Sequence, residues 1–117
     1  MKIREIASLL DATVMTGEDL LDVEVNSACG SDMMSDVLAF VKDQAVLLTG
    51  LVNTQVIRTA EMMDMHCVVF VRGKRPGEDI LDLAKTCEIA VLCTTERMYV
   101  ACGRLYEAGL KGGEVVG

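Results

Sequence analysis

The chain has 117 residues, 51% hydrophobic and 25% charged, with a formal net charge of −7. That balance fits one domain with a real core and excludes a disordered chain. With two phenylalanines, two tyrosines and no tryptophan, an acidic chain also lacks the basic surface and stacking rings that nucleic acid requires.

Along the chain, helical and strand patterns alternate with short breaks. Ile3, Ile6, Ala7 and Leu10 form an amphipathic stripe, so residues 2–11 read as a helix. "ATVMTG" and "DVEVNSA" read as short strands around the loop "GEDLL". Met34, Val37, Leu38 and Val41 make the next helical stripe, followed by the largely apolar strand "QAVLLTG". Val56, Ile57, Ala60 and Met63 place a helix over about residues 53–64. After it come the strand "HCVVFVRG" and the loop "KRPG". Ile80, Leu83, Ala84 and Cys87 repeat at i, i+3, i+4, i+7, as do Met98, Ala101, Cys102 and Leu105, with the strand "IAVLCTT" between the two helices. The glycine-rich residues 111–117 read as a tail that frays.

Continuous apolar strands at 45–48, 67–71 and 89–93, each followed by an amphipathic helix, imply a buried, largely parallel sheet. The expected fold is a single three-layer α/β domain over residues 1–117, with helices on both faces. No apolar run is long enough to span a bilayer. The opening "MKIREIASLLDATVM" is broken by Arg4, Glu5 and Asp11 and lacks a signal-peptide core. The expected address is cytoplasmic, with no membrane contact.

Ligands of open α/β sheets bind beyond the carboxyl ends of the strands. The sequence places Asn26 to Asp32, Thr49 to Thr54, Arg72 to Gly77 and Thr94 to Glu96 there. Candidate ligand-binding residues are Asn26, Ser27, Thr49, Gly50, Asn53, Thr54, Lys74, Arg75 and Thr94. Such small polar residues are also what helix caps and turns need, so both readings stand. Arg72, Lys74 and Arg75 in one short loop of an acidic chain favour an anion site. The loop "TGLVNTQVI" suits an anion best, because its first helical turn carries no acid, whereas Asp32 and the pair Glu78 and Asp79 already occupy the other helix starts. Neither a Walker A sequence nor G-x-G-x-x-G occurs.

Catalytic and metal chemistry find little support. Asp32 and Asp36 share a helix face at a spacing that two magnesium ligands could use, but the helix dipole alone favours acids there. The single histidine, His66, has no nucleophile beside it. Five cysteines without a C-x-x-C pair suit neither zinc nor a disulfide framework. Cys67, Cys87, Cys93 and Cys102 fall on apolar faces and read as core thiols. No metal and no cofactor is expected. A flavodoxin-like electron carrier is rejected, because "VMTGEDLLD" is too acidic for a phosphate loop and the aromatic residues are too few.

The segments "GSDMMSDVLAFV" and "AVLLTGLVNTQVI", followed by "CVVFV" and its glycine loop, resemble the DRTGG domain over nearly the whole chain. Gly30, Asp32, Thr49 and Gly50 match the motif, while Met33 stands in place of its arginine and Leu51 in place of its second glycine. The resemblance implies a non-catalytic regulatory or assembly module. Similar domains occur in pyrophosphatases with CBS domains, in long phosphotransacetylases and as free-standing small proteins, and the fold is similar to the amino-terminal domain of HPr kinase. In multidomain members the domain contributes to dimerisation. Independent support for a homodimer comes from Met33, Met34, Met62 and Met63, since neither adjacent pair can point fully inward.

The leading expectation is a regulatory and dimerisation module that senses a nucleotide or phosphorylated metabolite at the carboxyl edge. It would act on a separately encoded partner enzyme. A pure assembly module without ligand is second, and a small enzyme acting on an anionic substrate through Lys74 and Arg75 is third.

Overall fold

The computed structural model describes residues 1–40 and 45–112. The chain runs α1 (Ile3–Leu9), β1 (Thr13–Thr16), a 3-10 turn (Glu18–Leu20), β2 (Ser27–Gly30), α2 (Met34–Phe40), β3 (Ala45–Thr49), α3 (Thr54–Met62), β4 (Cys67–Phe70), α4 (Glu78–Thr86), β5 (Ala90–Cys93) and α5 (Met98–Glu107). The five strands form one sheet in the order β1–β5–β4–β3–β2. Strands β2 to β5 are parallel neighbours, and β1 pairs antiparallel with β5 along the outer edge.

This is the expected three-layer α/β domain, and the strand sequences explain it. Along β3, β4 and β5 successive side chains alternate between two cores, as the pleat requires. Leu47, Val68, Phe70 and Val91 face one layer, and Val46, Leu48, Val69 and Leu92 face the other. All are fully buried, and the polar residue that ends β3, Thr49, is buried with its hydroxyl hydrogen-bonded to Asp32. Three consecutive strand–helix–strand units step across the sheet in one direction, so crossovers of one hand put α2, α3 and α4 on a single face. Their side chains Val37, Val56, Ile57 and Ala84 fill the first core. Ile3, Ile6 and Leu10 of the α1 segment join Ala101 and Leu105 of α5 in the second.

Some boundaries differ from the sequence reading. The segment 22–26 alternates like a strand, but its described backbone pairing is with the chain start, through an isolated Lys2–Glu24 bridge and a Val25 amide donating to the Met1 carbonyl at 2.7 Å. The strand proper therefore begins at Ser27. Leu38, counted with the α2 stripe, is exposed. Val41 of that stripe and Gln44 lie outside the described residues. Most of the tail expected to fray also lies outside them, whereas the Lys111 carbonyl accepts the Ala28 amide at 2.9 Å.

Candidate functional site

At the carboxyl edge β4 and β5 part company. The chain leaves β4 for α4 on one face of the sheet and β5 for α5 on the other. Diverging connections of this kind leave a crevice between adjacent strand ends, the usual ligand position in an open α/β sheet. Here the crevice is partly filled by backbone. The Arg72 amide donates to the Glu96 carbonyl at 2.7 Å, and the Gly73 amide to the Thr94 carbonyl at 2.9 Å. The turn needs two successive left-handed residues, Arg72 at φ 61° and Gly73 at φ 71°. Glycine adopts this freely, but arginine does so only where the surroundings hold it. A cavity of about 100 Å³ remains, lined by Gly73, Arg75, Thr94, Thr95, Asp11 and Thr13.

Beside it lies a polar cluster built around Asp32. The Thr49 hydroxyl donates to Asp32 Oδ1 at 3.0 Å, and the Gly50 amide donates to the same oxygen at 2.7 Å. Thr49 Oγ1 in turn accepts the Leu51 amide at 3.1 Å. Arg72 Nη2 stands 3.8 Å from Asp32 Oδ2. The Gly50 amide holds the Asp32 carboxyl below the usual carboxylate range; desolvation, next in size, opposes it, and Thr49 and then Arg72 add to the lowering. A Cβ at Gly50 would meet the Arg72 guanidinium, the end of a flexible and half-exposed side chain, so the glycine leaves room for Arg72 to lie against the Asp32 cluster. Thus Asp32 and the distant pair Thr49 and Gly50 form one cluster, and its guanidinium comes from Arg72 rather than from the position that Met33 occupies.

The remaining candidates divide. Asn53 caps α3, its side chain accepting the Val56 amide at 3.1 Å. With the Gly50 and Leu51 amides also engaged, the loop after β3 serves itself more than a free anion. Thr54 is exposed at the first turn of α3. The Thr94 hydroxyl donates to the Leu10 carbonyl at 2.8 Å and accepts the Glu96 amide at 3.2 Å, so it ties α1 to the end of β5. Lys74 and Arg75 are exposed, with Arg75 Nη1 3.9 Å from the Met15 sulfur. Asn26 and Ser27 are a correction: the strand begins at Ser27, so they lie at the amino edge, away from Thr49. His66 also lies at the amino edge, before β4. Gly30 ends β2 where a Cβ would sit 2.8 Å from Cys102 Sγ, so the glycine admits α5.

Among the described residues no group of three or more His, Cys, Asp and Glu side chains is placed to hold a metal. Cys67 is fully buried and desolvation raises its pKa, as for an inert core thiol. No described helix is long and apolar enough to cross a membrane. The four methionines do not make one patch. Met34 is buried and Met63 packs partly buried against the first core. Met33 precedes α2 at the carboxyl edge, whereas Met62 ends α3 at the amino edge. Sequence reasoning missed a different apolar surface, the outward side of α5. There Tyr99 is 89% exposed, Tyr106 60% and Val100 39%. The signal was a second stripe, Tyr99, Gly103 and Tyr106, at i, i+4 and i+7 behind the buried one.

No curated protein sequence matches the chain. A solved structure of the CBS and DRTGG domains from the regulatory region of Clostridium perfringens pyrophosphatase, complexed with the activator diadenosine tetraphosphate, has a similar fold with a TM-score of 0.74. The two are 16% identical, and the match covers 89% of this chain and 45% of that one, so this chain spans less than half its neighbour's length. The DRTGG domain model matches residues 5–108. With that match over most of its length, and with Asp32, Thr49 and Gly50 joined in one cluster, the chain belongs to the DRTGG domain family.

Proposed function

We propose that this chain is a non-catalytic regulatory module of the cytoplasm, working as a homodimer and responding to a small phosphorylated ligand at its carboxyl edge. It would act on an enzyme encoded separately. The observation that carries the ligand reading is the held, left-handed turn after β4, which puts Gly73 and Arg75 in the lining of the cavity beside the end of β5, with Lys74 exposed between them and Arg72 turned towards Asp32. Backbone held in a sparsely populated conformation clusters at functional sites. The cavity of about 100 Å³ has room for a phosphate group, while a whole nucleotide would lie across the open edge. Asp11 lines the same cavity, which disfavours dense negative charge unless Arg75 and Lys74 outweigh it.

The test is a thermal-shift series with ATP, diadenosine tetraphosphate and inorganic phosphate. Stabilisation by a nucleotide at millimolar concentration, absent from a Lys74→Ala, Arg75→Ala double variant, is the expected result. No shift with any of the three would defeat the ligand reading. It would favour the assembly module without ligand, which the internally engaged Gly50 and Leu51 amides already support.

A further inference from the structure

The outward face of α5 carries an exposed apolar strip. Tyr99 and Tyr106 stand seven residues apart, two turns along the same side of the helix. Between them is Gly103, above which a Cβ would meet nothing within 4 Å. Two ridges therefore flank a hollow in a shallow apolar groove that also includes Val100. Glycine in the middle of an exposed helix is unfavourable for that helix, and no intramolecular contact of a side chain at this place requires it.

Arg104 in the last turn suits the helix dipole and the Lys111 ammonium lies 3.6 Å from the Tyr106 ring centroid, but the two terminal charges point the same way as the groove. Arg97 is its N-cap and Glu107 its last residue, both exposed. Each charge thus sits at the end of the helix dipole that disfavours it. A second α5 laid antiparallel across the first opposes Arg97 to Glu107 twice and also opposes the two dipoles. In the same arrangement each tyrosine pair faces its counterpart around the two glycine hollows. An isologous contact needs this kind of self-complementarity.

We infer that two copies of this chain join through α5, antiparallel about a two-fold axis beside Gly103. The inference rests on the homodimer reading above and names its surface. Given roughly 150–250 Å² per buried aromatic side chain, Tyr99, Tyr106 and Val100 from both copies supply on the order of 700 Å². That is nearly half of a standard interface of about 1,600 Å². Leu9 extends the patch, since its carbonyl accepts from Arg104 Nη1 at 3.3 Å and its side chain is itself exposed.

Sedimentation velocity from low to high micromolar concentration tests this, with circular dichroism as a check on folding. The wild-type chain should be a dimer. Gly103→Arg fills the hollow while favouring the helix, so it should fold at least as well and raise the dissociation constant on the order of 30-fold or more, as loss of a hot spot does. Tyr99→Ala with Tyr106→Ala should do the same without adding charge. Arg97→Glu should weaken the dimer, and Arg97→Glu with Glu107→Arg should restore it. A wild-type chain that stays monomeric overturns both the homodimer and this surface. A wild-type dimer that tolerates Gly103→Arg and the double tyrosine variant overturns the α5 surface alone. Failure of the charge swap to restore association overturns the antiparallel arrangement.

Discussion

Asp32 joins its own loop to two others with its two oxygens. One oxygen receives the end of β3 through Thr49 and Gly50, and the other faces the turn after β4 through Arg72. Replacing it with alanine leaves the hydroxyl of Thr49, a residue with no exposed surface, and the Gly50 amide without their acceptor. Losing such an acceptor costs about 1–3 kcal/mol, so Asp32→Ala should lower the urea midpoint accordingly. Asp32→Asn keeps an acceptor and should cost less. The pH dependence follows from the lowered carboxyl pKa, whose largest cause is the Gly50 amide. Because the folded value lies below the unfolded one, about 3.9, the stabilisation is complete above the unfolded value. It is lost as pH falls through the folded value. The stability gap between wild type and Asp32→Asn should therefore be widest above about pH 5 and shrink as pH falls below the unfolded value of about 3.9. Half the Asp32 side chain is exposed, so solvent keeps the effect small. Little of this cluster was legible residue by residue. The sequence offered the letters Asp32, Thr49 and Gly50, but Arg72 joins them only because β4 lies beside β3.

Four of the helices end in the same way. After α1, α3, α4 and α5 comes a left-handed residue, Asp11, Asp64, Glu88 and Gly109 respectively. The next residue then donates back five positions, from Ala12 to Ala7, Met65 to Ala60, Ile89 to Ala84 and Leu110 to Leu105. This is the Schellman arrangement, whose left-handed position glycine suits best. Met65, Ile89 and Leu110 are also buried, so each helix stop fixes a core residue. Glu88 is exposed at φ 57°, and Glu88→Gly should stabilise the fold by about 0.5–1 kcal/mol, read as a raised melting midpoint. These stops explain why the helix ends were poorly legible. Asp11, Asp64 and Glu88 look like ordinary surface acids, and only Gly109 carries the usual mark. The helix bodies were legible because their stripes answer to a buried sheet on one side. The outward stripe of α5 was hidden by the stronger inward one.

Across the whole molecule, protection should follow position in the sheet. β3 and β4 each have a parallel neighbour on both sides and no exposed residue, whereas β1 is an edge strand with an exposed first residue. Hydrogen exchange should find the slowest amides in β3 and β4 and faster exchange in β1. Uniform rates along the sheet would contradict this account of the core. The parallel sheet was readable because only strands buried on both faces carry runs such as Val46 to Leu48. The direction of β1 was not, since Val14 and Met15 suit either edge in either sense. Likewise, Asn26 and Ser27 were placed at the wrong end of their strand because the alternating segment before them looked like its continuation.

That first strand has a consequence for how the molecule is made. Strands β2 to β5 can be laid down one beside the next as the ribosome delivers them. β1 is synthesised before all of them, yet its only partner in the sheet is β5, the last to arrive. Strand β1 must wait for its strand partner until Ala90–Cys93 has emerged, and the Thr94 hydroxyl then fastens the end of α1 through the Leu10 carbonyl. Closing the sheet thus joins the strand made before the other four to the one made after them.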